Sequence, residues 1–180
     1  PDSNYFVTTA TLRGGYRITR EATVGAYAGY NGGEAETDGF GSELDYEGGH
    51  AGVFAQIQTH GFRATALAGY TYTSYDGRRR VVVPGVNRTA TSETDSHQVL
   101  AAAELAYDFR FGKEQQWTIT PVAGLQYTHL WIDGYSESGA GAFSLNVDNQ
   151  EADSLQTKLG LEASKLWRYN PQSHITFYAN

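Results

Sequence analysis

The sequence predicts an all-β fold: an antiparallel up-and-down transmembrane β-barrel, with about eight strands in this chain. Three observations carry that reading. Apolar and polar residues alternate with period two over long stretches, and helical spacing of apolar residues is scarce. Short and long connections alternate, as periplasmic turns and external loops do in an outer-membrane barrel. Aromatic residues gather at the strand ends, where an interfacial girdle would lie.

Taken in order, Phe6 to Ile18, Ala22 to Tyr30 and Ala51 to Thr59 alternate weakly. Phe62 to Tyr72 sets Phe62, Ala64, Ala66, Ala68, Tyr70 and Tyr72 against Arg63, Thr65, Leu67, Gly69 and Thr71. His97 to Phe111 is the clearest strand. Val99, Leu105, Tyr107, Phe109 and Phe111 share an apolar face, and Gln98, Glu104, Asp108 and Arg110 share a mixed one. It is far longer than the usual strand of about 5–6 residues. Trp117 to Trp131 and Leu155 to Ala163 repeat the pattern, and a last strand begins near His174. The short connections are Thr19-Arg20-Glu21, His60-Gly61, Gly112 to Gln116 and Tyr169 to Ser173. The long ones are Asn31 to Leu44, Asp76 to Ser96 and Asp133 to Gln150.

Composition narrows the class. With Cys at 0 there is no disulfide scaffold, zinc ribbon or thiol nucleophile. With Met at 0 the chain reads as a processed or excised segment. No apolar run is long enough for a transmembrane helix, a test that does not touch barrels, whose strands bury only alternate residues. A net charge of −7 argues against a nucleic-acid binder, which would carry a basic stripe. A soluble up-and-down barrel is the competing fold. Its inward apolar face must be filled with bulky side chains, whereas here that face is largely Ala.

Among candidate chemical groups, His50, His60, His97, His129 and His174 form no HExxH or close pair, so no metal site is expected. His60 and His174 fall at turns and His97 at a strand start, where solvated imidazoles are expected. Ser136, in Gly-Tyr-Ser-Glu-Ser-Gly, lacks the following helix that a nucleophile elbow needs, so no catalytic site is expected. Glu34, Glu36, Asp38, Glu43 and Asp45 could offer calcium its oxygens, but EF-hand spacing is absent and a solvated acidic loop is expected. No cofactor is expected. Arg78-Arg79-Arg80 admits two readings: contact with lipopolysaccharide phosphates, or pairing with Glu93 or Asp95 over the barrel mouth.

Two stretches are more specific than the strands. One is Tyr72 to Asp95, with its Arg cluster, Pro84-Gly85, Arg88 and Thr94-Asp95. The other is Ile132 to Ser164, with Asp133-Gly134, Glu137, Gly139, Gly141-Ala142, Gln150 and Ser154-Leu155. Both resemble the C-terminal β-domain of autotransporters (type V secretion), closest in flavour to those behind GDSL-type esterase passengers. The resemblance runs from about Thr9 to Tyr178. It implies a bacterial outer-membrane barrel of about twelve strands, with a helix through its lumen, that anchors and helps export an N-terminal passenger. It also implies the barrel-assembly machinery, outer-membrane lipid and lipopolysaccharide as partners, and a monomer.

The resemblance further implies that residues 1–180 are one partial domain, about strands two to nine, with the first and last strands missing. Family members end on a strand with a terminal Phe or Trp, and this chain ends Tyr178-Ala179-Asn180. Closure of the segment alone is therefore doubtful. The polar face of Arg63, Glu104, Asp108, Arg110, Gln126, Gln156, Lys158 and Glu162 would line the lumen and hold the helix or the passing chain by many weak contacts. Any enzymatic activity would lie in the passenger. A small eight-stranded outer-membrane structural or adhesion protein is the alternative.

The connection pattern makes a topological prediction. Epitope tags in Asn31–Leu44, Asp76–Ser96 or Asp133–Gln150 should be labelled on intact cells, and tags in Gly112–Gln116 only after the outer membrane is opened. Surface labelling of that short turn would overturn the orientation.

Overall fold

A computed structural model describes residues 3–37, 41–112, 117–170 and 173–179. Its long strands are β1 (Ser3–Arg17), β2 (Ala22–Thr37), β3 (Ser42–Thr59), β4 (Phe62–Val83) and β5 (Val86–Tyr107). The short β6 (Phe109–Phe111) continues β5 and is followed by β7 (Trp117–Ile132). Two-residue strands β8 (Tyr135–Ser136) and β9 (Asn146–Val147) precede the long β10 (Gln150–Asn170) and β11 (Ser173–Ala179). The main sheet runs β1-β2-β3-β4-β5-β7-β10-β11, each strand antiparallel to its neighbour in the sheet. This is the up-and-down meander expected from the alternation.

Short turns follow from local chemistry. His60 and Gly61 both have positive φ, 44° and 87°, the type I′ geometry whose twist suits two antiparallel strands. The Thr19 hydroxyl accepts from the backbone N–H groups of Glu21 and Ala22, closing the β1–β2 turn. Most of the Gly112–Gln116 connection lies outside the described residues.

Two of the three expected long loops are not loops. β2 and β3 stay paired as far as Thr37 and Ser42, and β4 and β5 as far as Val83 and Val86. The latter pair turns through Pro84 and Gly85, with Gly85 at φ 83°, as a Pro-Gly type II turn requires. Charge and glycine content suggested loops. Outside the membrane a ladder tolerates such residues, and the Val and Thr runs on either side of Pro84-Gly85 favour it.

The strand expected over His97–Phe111 is also interrupted, at Asp108. The β5–β7 ladder stops at Ala106 opposite Val122 and resumes at Phe109 opposite Ile119. Pro121 has no N–H to donate there. On its other side the chain stays tied to the β4 end, the Asp108 N–H donating to the Gly61 carbonyl at 2.8 Å.

The two faces of the sheet differ as expected. Along β5 the odd positions are open, with Leu105 at 50% exposure, while the next residue inward, Ala106, is at 7%. In register, Leu105 aligns with Ala64 and Ala123, and Tyr107 with Phe62, on this outer face. From His97 to Tyr107 the outer band spans roughly 25 Å once strand tilt is included, the height of a barrel's apolar belt. At its upper rim His97 sits among Tyr70, Tyr72 and Trp131, with ring centroids 5.3–6.0 Å away. His97 is thus part of an aromatic belt rather than a solvated strand-end residue.

On the inner face, aromatic side chains lie over glycines of adjacent strands. Phe54 covers Gly25 and Gly15, and Tyr27 covers Gly52 and Gly69; a Cβ at Gly25 or Gly52 would collide with the ring. The glycines let the backbone curl, and the rings refill the space they leave.

The face assignment is testable. Arg at a lipid-facing midplane site costs roughly 2–4 kcal/mol in barrels. In the full-length protein Leu105→Arg should block assembly, and Ala102→Arg on the inner face should be tolerated better. Heat-modifiable gel mobility reads both, and equal tolerance would refute the assignment.

Candidate functional site

The inner wall brings together most of the polar residues singled out in the sequence. Register places Glu104 beside Gly124 and Gly124 beside Lys158, so the Lys158 ammonium reaches Glu104 Oε2 at 2.9 Å across one intervening strand. Gly124 lies beneath the pair, where a Cβ would be 3.5 Å from that of Lys158. Gln126 and Gln156 face each other directly one step above. Thr65, Leu67, Ala102, Glu104, Gln126, Gln156 and Lys158 line a groove of about 350 Å³ of mixed polar and apolar character.

Nearer the short turns a second cluster forms. Arg63 donates to Glu162 at 3.1 Å, although β4 and β10 are separated by two strands, and it lies 3.7 Å from Asp108. Asp108 also takes Arg110 at 3.3 Å and the Thr120 hydroxyl at 2.9 Å. Three cations and three carboxylates thus neutralise one another. The pairs are largely exposed to the interior, so each is worth about 0–1 kcal/mol. Such a wall can hold or pass a chain through many weak contacts, with no single dominant residue.

The arginine run divides by strand alternation. Arg78 pairs with Glu43 at 3.4 Å and Arg80 donates to Asn87 at 3.3 Å. Arg79 points inward and grips Glu137 through two donors, at 3.0 and 2.5 Å, and also donates to the Phe143 carbonyl at 3.1 Å. The observed carboxylate partners are therefore Glu43 and Glu137, not Glu93 or Asp95. Sequence spacing could not find them, because Glu137 lies 58 residues from Arg79.

Glu137 belongs to the one expected loop that is not a strand extension. Residues 133–149 fold back as a strap over the inner side of the β4–β5 hairpin, with β8 paired to β9 and a 3-10 turn at Gly141–Phe143. Ser138 and Thr91 exchange backbone hydrogen bonds at 2.9 Å, and Arg88 donates to the Ala140 carbonyl at 3.4 Å. Val81, Ala90 and Ala140 bury a small apolar core beneath it. Ser136 donates to Asn146 across β8 and β9, a structural bond.

The other sequence candidates separate. Glu34, Glu36 and Glu43 place carboxylate oxygens within 4.8 Å of one another on the β2–β3 hairpin; Asp38 lies outside the described residues. His60 sits at its turn beside the Thr59 hydroxyl, 2.8 Å away. His129 contacts Asp153 at 2.8 Å on the outer face. The His174 side chain lies outside the described residues.

A curled antiparallel meander, apolar outside and charged within, is the wall of a transmembrane β-barrel. The autotransporter β-domain family model matches residues 2–180, and the chain belongs to that family. Among curated relatives, Esterase EstA of Pseudomonas aeruginosa and of Pseudomonas putida are each 30% identical over 153 residues, 84% of this chain. The match spans 24% of each relative, about a quarter of its length. Among solved structures, the translocator domain of NalP from Neisseria meningitidis superposes with a TM-score of 0.74 at 14% identity, over 93% of this chain and 57% of that one. The β-domain of the Bordetella autotransporter BrkA gives 0.59 at 15% identity, over 98% of this chain and 68% of that one. Autotransporter β-domains are outer-membrane barrels, which fixes the location.

The strap predicts a pH response. The Arg79 guanidinium, helped by the Leu145 N–H, holds the Glu137 carboxyl below its ordinary value against the opposing effect of burial. A lowered folded pKa contributes stability that is full above the unfolded value of about 4.3 and is lost only as pH falls through the lower folded value. Pepsin, which stays active in acid, should therefore spare Phe143 down to about pH 4.3. Glu137→Gln should expose that site to chymotrypsin at neutral pH. Equal protection of the two proteins would refute the lock.

Proposed function

We propose that this chain forms part of the wall of a barrel that anchors an N-terminal passenger in the outer membrane and helps carry it to the cell surface. The observation that carries this reading is the family match over residues 2–180. The charge-paired inner wall supports it, because a wetted surface of weak contacts suits a chain that must move through.

Further features belong to the same proposal. β1 and β11 each keep an edge without a strand partner among the described residues. Unpaired backbone groups are costly in hydrocarbon, so further strands of the same protein would close a barrel of about twelve. This chain would then supply about strands two to nine. The barrel-assembly machinery would insert it, as a monomer. Arg78 and Arg80, on the outer side of the β4–β5 hairpin, would meet lipopolysaccharide phosphates, while Arg79 is engaged by the strap. Arg63, Glu104, Asp108, Arg110, Gln126, Gln156, Lys158 and Glu162 would face the lumenal chain. The passenger would carry any enzymatic activity, and the name of the EstA relatives makes ester hydrolysis the first activity to assay.

The test is export by the full-length protein. Protease added to intact cells should digest the passenger when this chain is present. Deletion of residues 1–180 should leave the passenger protected until the outer membrane is opened. Surface exposure of the passenger without this chain would overturn the proposal.

A further inference from the structure

Above the membrane the wall is not continuous. From β1 to β5 the ladders run well past the rim, ending at Ser3 opposite Thr37, Thr37 opposite Ser42, Glu43 opposite Arg78 and Val83 opposite Val86. The β5–β7 ladder ends at Ser96 opposite Ile132, one residue beyond the His97–Trp131 pair of the rim. Among the described residues, β1 to β5 therefore form one leaf that parts from β7 and β10 outside the membrane. The strap ties that leaf back across the gap. At its base the Asp133 N–H donates to the Asp95 carbonyl at 2.9 Å, and the Thr94 hydroxyl to the Asp133 carbonyl at 2.6 Å. Higher up, the Thr91–Ser138 backbone pair, Arg79 on Glu137 and Arg88 on the Ala140 carbonyl hold it to the β4–β5 hairpin. Thr91 lies six residues beyond His97, about 20 Å along the strand.

The strap's hydrogen bonds fall into two separate sets. Within it, Tyr135 pairs with Val147 and Ser136 with Asn146. The Glu137 N–H donates to the Leu145 carbonyl at 2.8 Å, and the Leu145 N–H to the Glu137 carboxylate at 2.9 Å. These bonds survive if the strap lifts off as a unit; only the docking bonds are lost. Docked, the Glu137 side chain is 6% exposed. Lifted off, Glu137 and Arg79 both meet water, so opening strands no charge in apolar surroundings. The seat is shaped for the strap alone. Gly139 has φ 92°, and a Cβ there would collide with the Thr89 carbonyl. Ala140 is fully buried against Val81 and Ala90.

Resting on the translocator reading, we infer that the strap is a releasable clasp on the barrel mouth. Docked, it holds the β1–β5 leaf against the β7–β10 side. Released, it lets the leaf lean outward and widens the exit for a chain in transit. The motion is confined to the part of the wall outside the membrane. Inside hydrocarbon a parted ladder leaves its backbone groups uncompensated, whereas above the rim water replaces the lost partners. Arg79, Glu137 and Gly139 are positioning residues of the clasp, since they act by seating the strap.

The experiment uses the full-length protein, and the 180 residues described contribute no Cys of their own. Thr91→Cys with Ser138→Cys shuts the clasp by a disulfide, and Tyr135→Cys with Val147→Cys crosslinks the strap only within itself. In cells, with a compact module fused into the passenger, the shut clasp should lower surface exposure of the passenger several-fold, and reduction should restore it. The internal crosslink should leave export unchanged. Both are scored on the heat-modifiable, assembled fraction alone. In the purified protein, spin labels at Val82 on the hairpin and Glu151 on β10 read the gap directly. Gly139→Val should lengthen and broaden their distance distribution, and the shut clasp should narrow it. Equal export with the clasp shut and free, or distances that Gly139→Val leaves unchanged, overturns the inference. Failure of the unmodified protein to deliver its passenger would instead sink the translocator reading, and the distances would still judge the clasp.

Discussion

The rest of the structure depends on one constraint: inside hydrocarbon, every backbone N–H and C=O must be paired within the protein. A chain without long apolar helices meets it by making each strand the partner of the next, and the result is a meander with short turns at one end. The same constraint explains the break at Asp108. Pro121 withholds a donor from the β5–β7 ladder, while on the β4 side the Asp108 N–H is satisfied by the Gly61 carbonyl. Where the strands leave the membrane, water could satisfy the backbone, yet the β4–β5 ladder persists as far as Val83 and Val86. There it serves as a scaffold rather than a necessity.

Pairing fixes side-chain alternation, and alternation divides the protein between two solvents. Outward positions such as Leu105 meet lipid, with His97, Tyr70, Tyr72 and Trp131 crowding the rim. Inward positions meet water and carry the charges. Curvature then does what a flat sheet does poorly. It brings Arg63 to Glu162 over two intervening strands and Lys158 to Glu104 over one. Glycines assist by giving no side chain of their own at Gly25, Gly52, Gly69 and Gly124. Phe54 and Tyr27 are among the neighbours that fill this space.

The mouth of the barrel follows a different logic. The strap over residues 133–149 has almost no regular structure, and its position depends on the Arg79–Glu137 pair, the Thr91–Ser138 bridge and the small core of Val81, Ala90 and Ala140. Because Glu137 is the buried partner, losing Arg79 would leave a carboxylate without compensation, which is costlier than losing an exposed pair. One arginine of the run is thereby committed to the strap, while its two neighbours face the other way.

Period-two alternation and the spacing of turns were enough to read from sequence the fold class, the order of the eight main strands and which face of them is apolar, while the inward Arg79 was missed. Those properties are local, since a strand's two faces follow from its backbone geometry alone. The loop motifs of Tyr72–Asp95 and Ile132–Ser164 pointed to the family, which the match over residues 2–180 established. Strand ends were less legible, because the hydrophobic signal stops at the membrane surface while the ladder does not. Partnerships were not legible at all. Which carboxylate meets Arg79, that Phe54 lies beneath Arg13, and that Arg63 crosses to Glu162, 99 residues away, depend on register and curl. Register summed over a curled sheet is a property of the whole wall, and only the tertiary structure decides it.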